Sequence, residues 1–127
     1  MSTLFTKIID GDIPGRFVWA DEVAVAFGTI APITDGHVLV VPRAEILQLT
    51  DAPDDVLTHL MLVAGFEVPH LHLHVLPAWD EASLTFANAR PDLPAAELDA
   101  AAERVRAALV DLGHGAHVPA TLGSPDL

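Results

Sequence analysis

The sequence predicts an α+β fold, an antiparallel sheet with helices packed on one side, and three observations predict it. Short β-rich runs recur between turn residues in the first third of the chain. A long helical stripe runs from Pro94 to about Leu112. Between them, "HLHLHVLP" (His70 to Pro77) alternates histidine with aliphatic residues at the two-residue period of a strand.

Gly11, Pro14 and Gly15 mark turns, after which strands are expected at Phe17 to Ala20 and Val23 to Gly28, joined at Asp21-Glu22. Pro32 and Gly36 bracket a loop, and "HVLVV" is a buried-strand run stopped by Pro42. In "DAPDDVLTHLMLVA", Pro53 stands near a helix start, two aspartates follow in the first turn, and Val56, Leu57, Leu60 and Val63 keep helical spacing. The later helix carries Leu98, Ala102, Val105, Leu109 and Leu112 on one stripe, with Gly113 placed to end it. Residues 114–127 form a turn-rich tail after a single domain over residues 1–113.

Composition excludes several classes of function. The chain has 127 residues, 18 of them acidic and 6 basic, for a net charge of −12. Such a surface repels nucleic-acid polymers, which are bound by fields of Lys and Arg. A small phosphorylated ligand must then be held by local donors such as histidines, backbone amides or Arg43. With no cysteine there is no disulfide, thiolate metal site or cysteine nucleophile. No apolar run reaches the ~20 residues of a membrane span, and Lys7, Asp10 and Asp12 interrupt the start where a signal peptide would be apolar. The expected location is cytoplasmic, without membrane contact.

On a strand, His70, His72 and His74 line one face and Leu71, Leu73 and Val75 the other, so the imidazoles are expected to look outward and the aliphatics into a core. Three readings compete. Alternate positions on a strand start about 6.6 Å apart, a strained spacing for one small ion, although His37 or Glu67 could complete a metal set. A phosphoryl group is wide enough to touch several of these rings, and imidazole can act as nucleophile, acid or donor near neutral pH. The third reading is a row of ordinary surface histidines. Among the remaining histidines, His59 reads as a surface residue in mid-helix, and His114 and His117 fall in the tail.

The motif "HLHLHVL" resembles the histidine triad (HIT) family, whose pattern is His-φ-His-φ-His-φ-φ with φ apolar. "GHVLVVPR" (Gly36 to Arg43) and "LFTKIIDGDIPGRFVWADEVAVAF" are similar to the family's fourth-histidine strand and N-terminal segment. The resemblance, from about Leu4 to Pro77, implies hydrolysis or transfer at the α-phosphate of a purine nucleotide or nucleotide conjugate, without metal or cofactor. It implies His72 as nucleophile, His74 at the phosphate and leaving group, and His70 and His37 as orienting groups. It also implies a base and ribose site from Leu4, Phe5, Ile8, Phe27, Gly28, Thr29, Ile30, Leu39, Glu67 and Val68, and a homodimer. Two other classes remain, a nucleotide-binding interaction protein with little turnover and a zinc-binding module.

Three departures accompany the resemblance. Thr29 stands where many relatives place a ribose-binding acid, which weakens selectivity for ribose. Thr3, Thr6 and Glu45 stand where some bacterial members carry zinc ligands, so that metal site is expected to be absent. The interval between Pro42 and His70 is short by a strand. Removing one strand from an antiparallel meander reverses the next, so the triad could not keep its place without rerouting the chain, and the intact protein is expected to carry a further segment between Ala64 and Gly65.

Overall fold

The computed structural model describes residues 2–60, 70, 72–76 and 80–127. Four strands, β1 (Phe17–Ala20), β2 (Ala24–Gly28), β3 (Val38–Pro42) and β4 (Leu73–Val75), form one antiparallel sheet in chain order. Three α-helices accompany it: α1 (Leu4–Ile9), α2 (Asp54–His59) and α3 (Ala95–Asp111).

Asp21 closes the β1–β2 hairpin. Its Oδ1 accepts the N–H groups of Val23 and Ala24, each at 2.8 Å, and its Oδ2 meets Trp19 Nε1 at 2.9 Å and His59 Nε2 at 2.7 Å. Burial alone would raise the Asp21 pKa, but these bonds outweigh it and hold the carboxyl well below the usual range. His59 is exposed, as expected of a surface residue, but it does not stand in mid-helix. It ends α2 and joins that helix to the hairpin.

The ladder fixes which residues share a face. Phe17, Phe27 and Leu39 are successive cross-strand partners, and His74 pairs with Leu39, so His74 lies on the Phe27 face. The opposite face carries Ala26, Val38, Val40 and Leu73. There α3 packs through Ala102, Val105 and Leu109, and α2 through Val56 and Leu57. These two helices share one side of the sheet, as the patterning predicts. Leu112 leaves the stripe: it is the C-cap of α3 and exposed, with Gly113 at φ +91° turning the chain away.

The element missing from the sequence reading is α1. Thr3 caps it by accepting the Thr6 N–H, and its Phe5 and Ile8 are buried against Phe17, Phe27 and Leu39. Each such burial contributes about 1.5–3 kcal/mol. Gly15 allows the approach, since a Cβ there would stand 2.8 Å from the Ile8 side chain and 3.0 Å from the Phe17 ring. Helix α1 thus covers the face that carries the histidines.

The further segment expected between Ala64 and Gly65 falls outside the described residues. β4 lies directly beside β3, antiparallel, with Val38 opposite Val75 and Val40 opposite Leu73. The return from β3 carries α2, which packs on the face of the sheet, and the ring of His70 comes back to the Pro42 carbonyl. A connection that begins and ends at the same end of the sheet preserves strand direction. Val63, at the end of the expected helix, lies outside the described residues.

Removing the Asp21 carboxylate should cost more than an average surface change. Asp21→Ala is expected to lower unfolding free energy by about 1.5–3 kcal/mol, the worth of hydrogen bonds to a charged group, seen as a lower urea midpoint at unchanged slope.

Candidate functional site

Four histidines meet on the α1 side of the sheet. His74 is on β4, His37 immediately precedes β3, and His70 and His72 lie just before β4, outside its ladder. Alternation places them as expected but burial does not. His70 is 0 % exposed, His72 4 % and His37 5 %. The imidazoles do not look outward because Phe5 of α1 lies edge-on to both His70 and His72, with ring centroids 5.8 and 4.9 Å away. On the reverse face Leu73 is buried with Ala24, Ile46 and Leu60, while Val75 is exposed. Leu71 lies outside the described residues.

The partners of the rings decide where their protons are. A carbonyl only accepts, so the 2.8 Å contact of His70 Nε2 with the Pro42 oxygen places a proton on that nitrogen. The 2.7 Å contact of His72 Nδ1 with the His70 carbonyl does the same for Nδ1 of His72. Neutral His72 therefore carries its lone pair on Nε2. His37 Nδ1 accepts the Ile33 N–H at 3.2 Å, so its Nε2 holds the proton and donates it to His74 Nδ1 at 2.8 Å. Neutral His74 then has its own proton on Nε2. The rings of His72 and His74 are 5.1 Å apart, and among the described residues nothing hydrogen-bonds either Nε2. An unprotonated nitrogen and an N–H thus stand side by side.

Electrostatics keep the supporting rings neutral. Burial, then repulsion by His74, lowers the His37 pKa to about 4. Burial also holds His70 below the ordinary histidine range against the opposing pull of its Pro42 bond, and burial followed by the charge of His72 lowers His74. Among the described residues, no three His, Cys, Asp or Glu side chains converge as a metal-ligand set. Glu67 lies outside those residues.

The residues expected around the nucleotide fall into two groups. Phe5, Ile8, Phe27 and Leu39 are packed in one buried cluster, whereas Leu4 and Ile30 are exposed, at 47 % and 71 %. Gly28 and Thr29, at the end of β2, line a cavity of about 390 Å³ together with His37, Arg90 and Arg104. Sequence reasoning did not bring the two arginines there, since they come from beyond β4 and from α3. Glu67 and Val68 lie outside the described residues. His114 and His117 pack against Trp19, His117 stacked at 4.4 Å.

The sequence profile of the HIT domain matches residues 10–64, which include His37 and end before the triad. An uncharacterized HIT-like protein of Methanocaldococcus jannaschii is 32% identical over 102 residues, which take up 61% of this chain and 79% of that protein. The chain belongs to the HIT family. The aligned positions outnumber the residues this HIT chain contributes, so its relative holds an internal stretch that it lacks. Adenosine 5'-monophosphoramidase HNT1 of Saccharomyces cerevisiae is 30% identical over 102 residues, 63% of this chain and 65% of that protein. A crystal structure of a zinc-bound histidine triad family protein from Mycobacterium smegmatis superposes with a TM-score of 0.71 at 27% identity, covering 91% of this chain and 98% of that one.

The lowered histidines set a pH dependence of stability. Over the interval from the ordinary value of 6.5 down to about 4 for His37, the unfolded chain takes up protons that the folded chain refuses. Stability should therefore be fully present above about pH 6.5 and fall as pH drops toward about 4. Melting temperatures across this interval check it, and His37→Asn should flatten the slope.

Proposed function

We propose that the chain hydrolyses nucleotide phosphoramidates or related conjugates at the α-phosphate, without metal, through a covalent intermediate on His72. The observation that carries this reading is the pairing of His72 Nε2, unprotonated, with the His74 Nε2–H beside it. The lone pair of His72 Nε2 forms a bond to phosphorus as the bond to the leaving group breaks. His74 hydrogen-bonds the bridging atom and, when protonated, gives it the proton that departs with the amine. Water then attacks phosphorus and gives its proton back to His74 as the P–N bond to His72 breaks, so that nucleoside monophosphate leaves and both imidazoles return to their starting state.

His37 and His70 orient the other two rings. The purine lies against the exposed Leu4 and Ile30, over a floor of Phe5, Ile8, Phe27 and Leu39. Gly28 and Thr29 face the ribose, where a threonine gives weaker selection than a carboxylate. The phosphoramidase relative supports this substrate class. Among the described residues no helix is long and apolar enough to cross a membrane, which agrees with a small-molecule substrate. A cytoplasmic location and a homodimer complete the proposal. The second reading, nucleotide binding with little turnover, draws on the internal stretch that the relative has and this chain lacks.

Release of AMP from an adenosine 5′-phosphoramidate in EDTA tests the proposal. Activity should persist with the chelator and vanish in His72→Ala, while His74→Ala should lose about 10²–10⁴-fold in kcat. Two displacements retain configuration at phosphorus, so inversion would remove His72 as nucleophile. Bound nucleotide without release would favour the second reading.

A further inference from the structure

Three residues far from the histidine strand in sequence converge on the ring of His70. Thr3, the N-cap of α1, has its hydroxyl 2.8 Å from His70 Nδ1 and 3.1 Å from the Thr6 hydroxyl. The Thr6 hydroxyl donates to Glu45 Oε1, which also accepts the Thr3 N–H at 2.8 Å. Hydroxyls are poor zinc ligands beside thiolate or imidazole, and here both are already engaged, so the group does not fit a zinc site.

Proton counting gives the line a direction. His70 Nε2 donates to Pro42, so neutral His70 must accept at Nδ1, and the proton it takes there is that of the Thr3 hydroxyl. The Thr6 proton goes to Glu45 and the Thr3 proton to His70, so the contact between the two hydroxyls carries no proton, and Glu45 reaches Thr3 by accepting its N–H. His70 lies outside the β4 ladder. Among the described residues its ring is hydrogen-bonded at Pro42 on one side and Thr3 on the other. Its carbonyl in turn accepts the His72 Nδ1–H.

We propose that Glu45, which holds Thr3 by accepting its N–H, is a positioning residue that anchors the His70 ring and thereby keeps His72 in the tautomer with a free Nε2. The kinetic consequence rests on the hydrolase reading above; the tautomer does not. Outer partners of this kind are worth about 10–100-fold when removed from metal-ligating histidines, and an effect near the lower end is expected here.

Nitrogen-15 NMR of histidine-labelled full-length protein tests the proposal, with AMP release measured beside it. The parent should show His70 protonated at Nε2 and His72 at Nδ1. Thr3→Val should shift His70 Nδ1, average the His72 signals between tautomers, and lower kcat about tenfold with KM within about twofold. Glu45→Gln should move the same signals in the same direction by less, and Thr3→Ser should restore the parental spectrum and rate. Parental His70 and His72 signals in both Thr3→Val and Glu45→Gln would overturn the proposal, as would Thr3→Ser behaving like Thr3→Val. A parent that releases no AMP while its His72 tautomer still depends on Thr3 would overturn the hydrolase reading and support the anchor.

Discussion

A buried imidazole has two ring nitrogens, and leaving either without a partner costs free energy that packing alone does not return. That constraint organises the α1 side of this sheet. Once Phe5 lies across His70 and His72, each ring must find acceptors and donors within the protein. Backbone groups supply most of them: the carbonyls of Pro42 and His70 and the N–H of Ile33. Backbone groups cannot change their donor or acceptor character, so they fix the tautomers more firmly than side chains would. The apolar cover that buries the histidines also determines which nitrogen of each remains available.

Much of the architecture was legible because its signals are local. Turn residues delimit β1, β2 and β3, and the α3 stripe is long enough for its period to be unambiguous. The strand of β4 was legible too, but alternation tells which residues share a face and says nothing of whether another element covers it. The burial of His70 and His72 depends on α1, a helix of six residues whose Thr3 cap and Leu4, Phe5 and Ile8 pattern are too brief to stand out beside the neighbouring turns. His59 and Asp21 illustrate the same limit, since their pairing joins an α2 terminus to a hairpin that sequence spacing does not relate.

Thr3, Thr6 and Glu45 were informative in the sequence only as substitutions for metal ligands. In the fold they form a connected hydrogen-bonded set, and the carboxylate of Glu45 is held below its usual range by the Thr6 hydroxyl and the Thr3 N–H. In a chain of net charge −12, this is one of several places where a carboxylate gathers donors around itself. Asp21 does so at the hairpin, and Asp99 and Asp35 engage Arg16 and Arg104. The acidic residues are structural acceptors as well as a source of repulsion.

The two margins of the sheet are not equivalent. On β1, both backbone groups of Phe17 are taken, the N–H by the carbonyl of Leu122 and the carbonyl by Arg106, which also reaches Pro119. Together with the stack of His117 on Trp19, these bonds fold the last residues of the chain along that margin. Among the described residues no strand lies beyond β4. A sheet with both margins bare can add copies of itself indefinitely, whereas one with a sealed margin can accept a neighbour only once. The last dozen residues therefore act as a stop on the β1 margin: at Phe17 they and Arg106 take both backbone groups that a further strand would need.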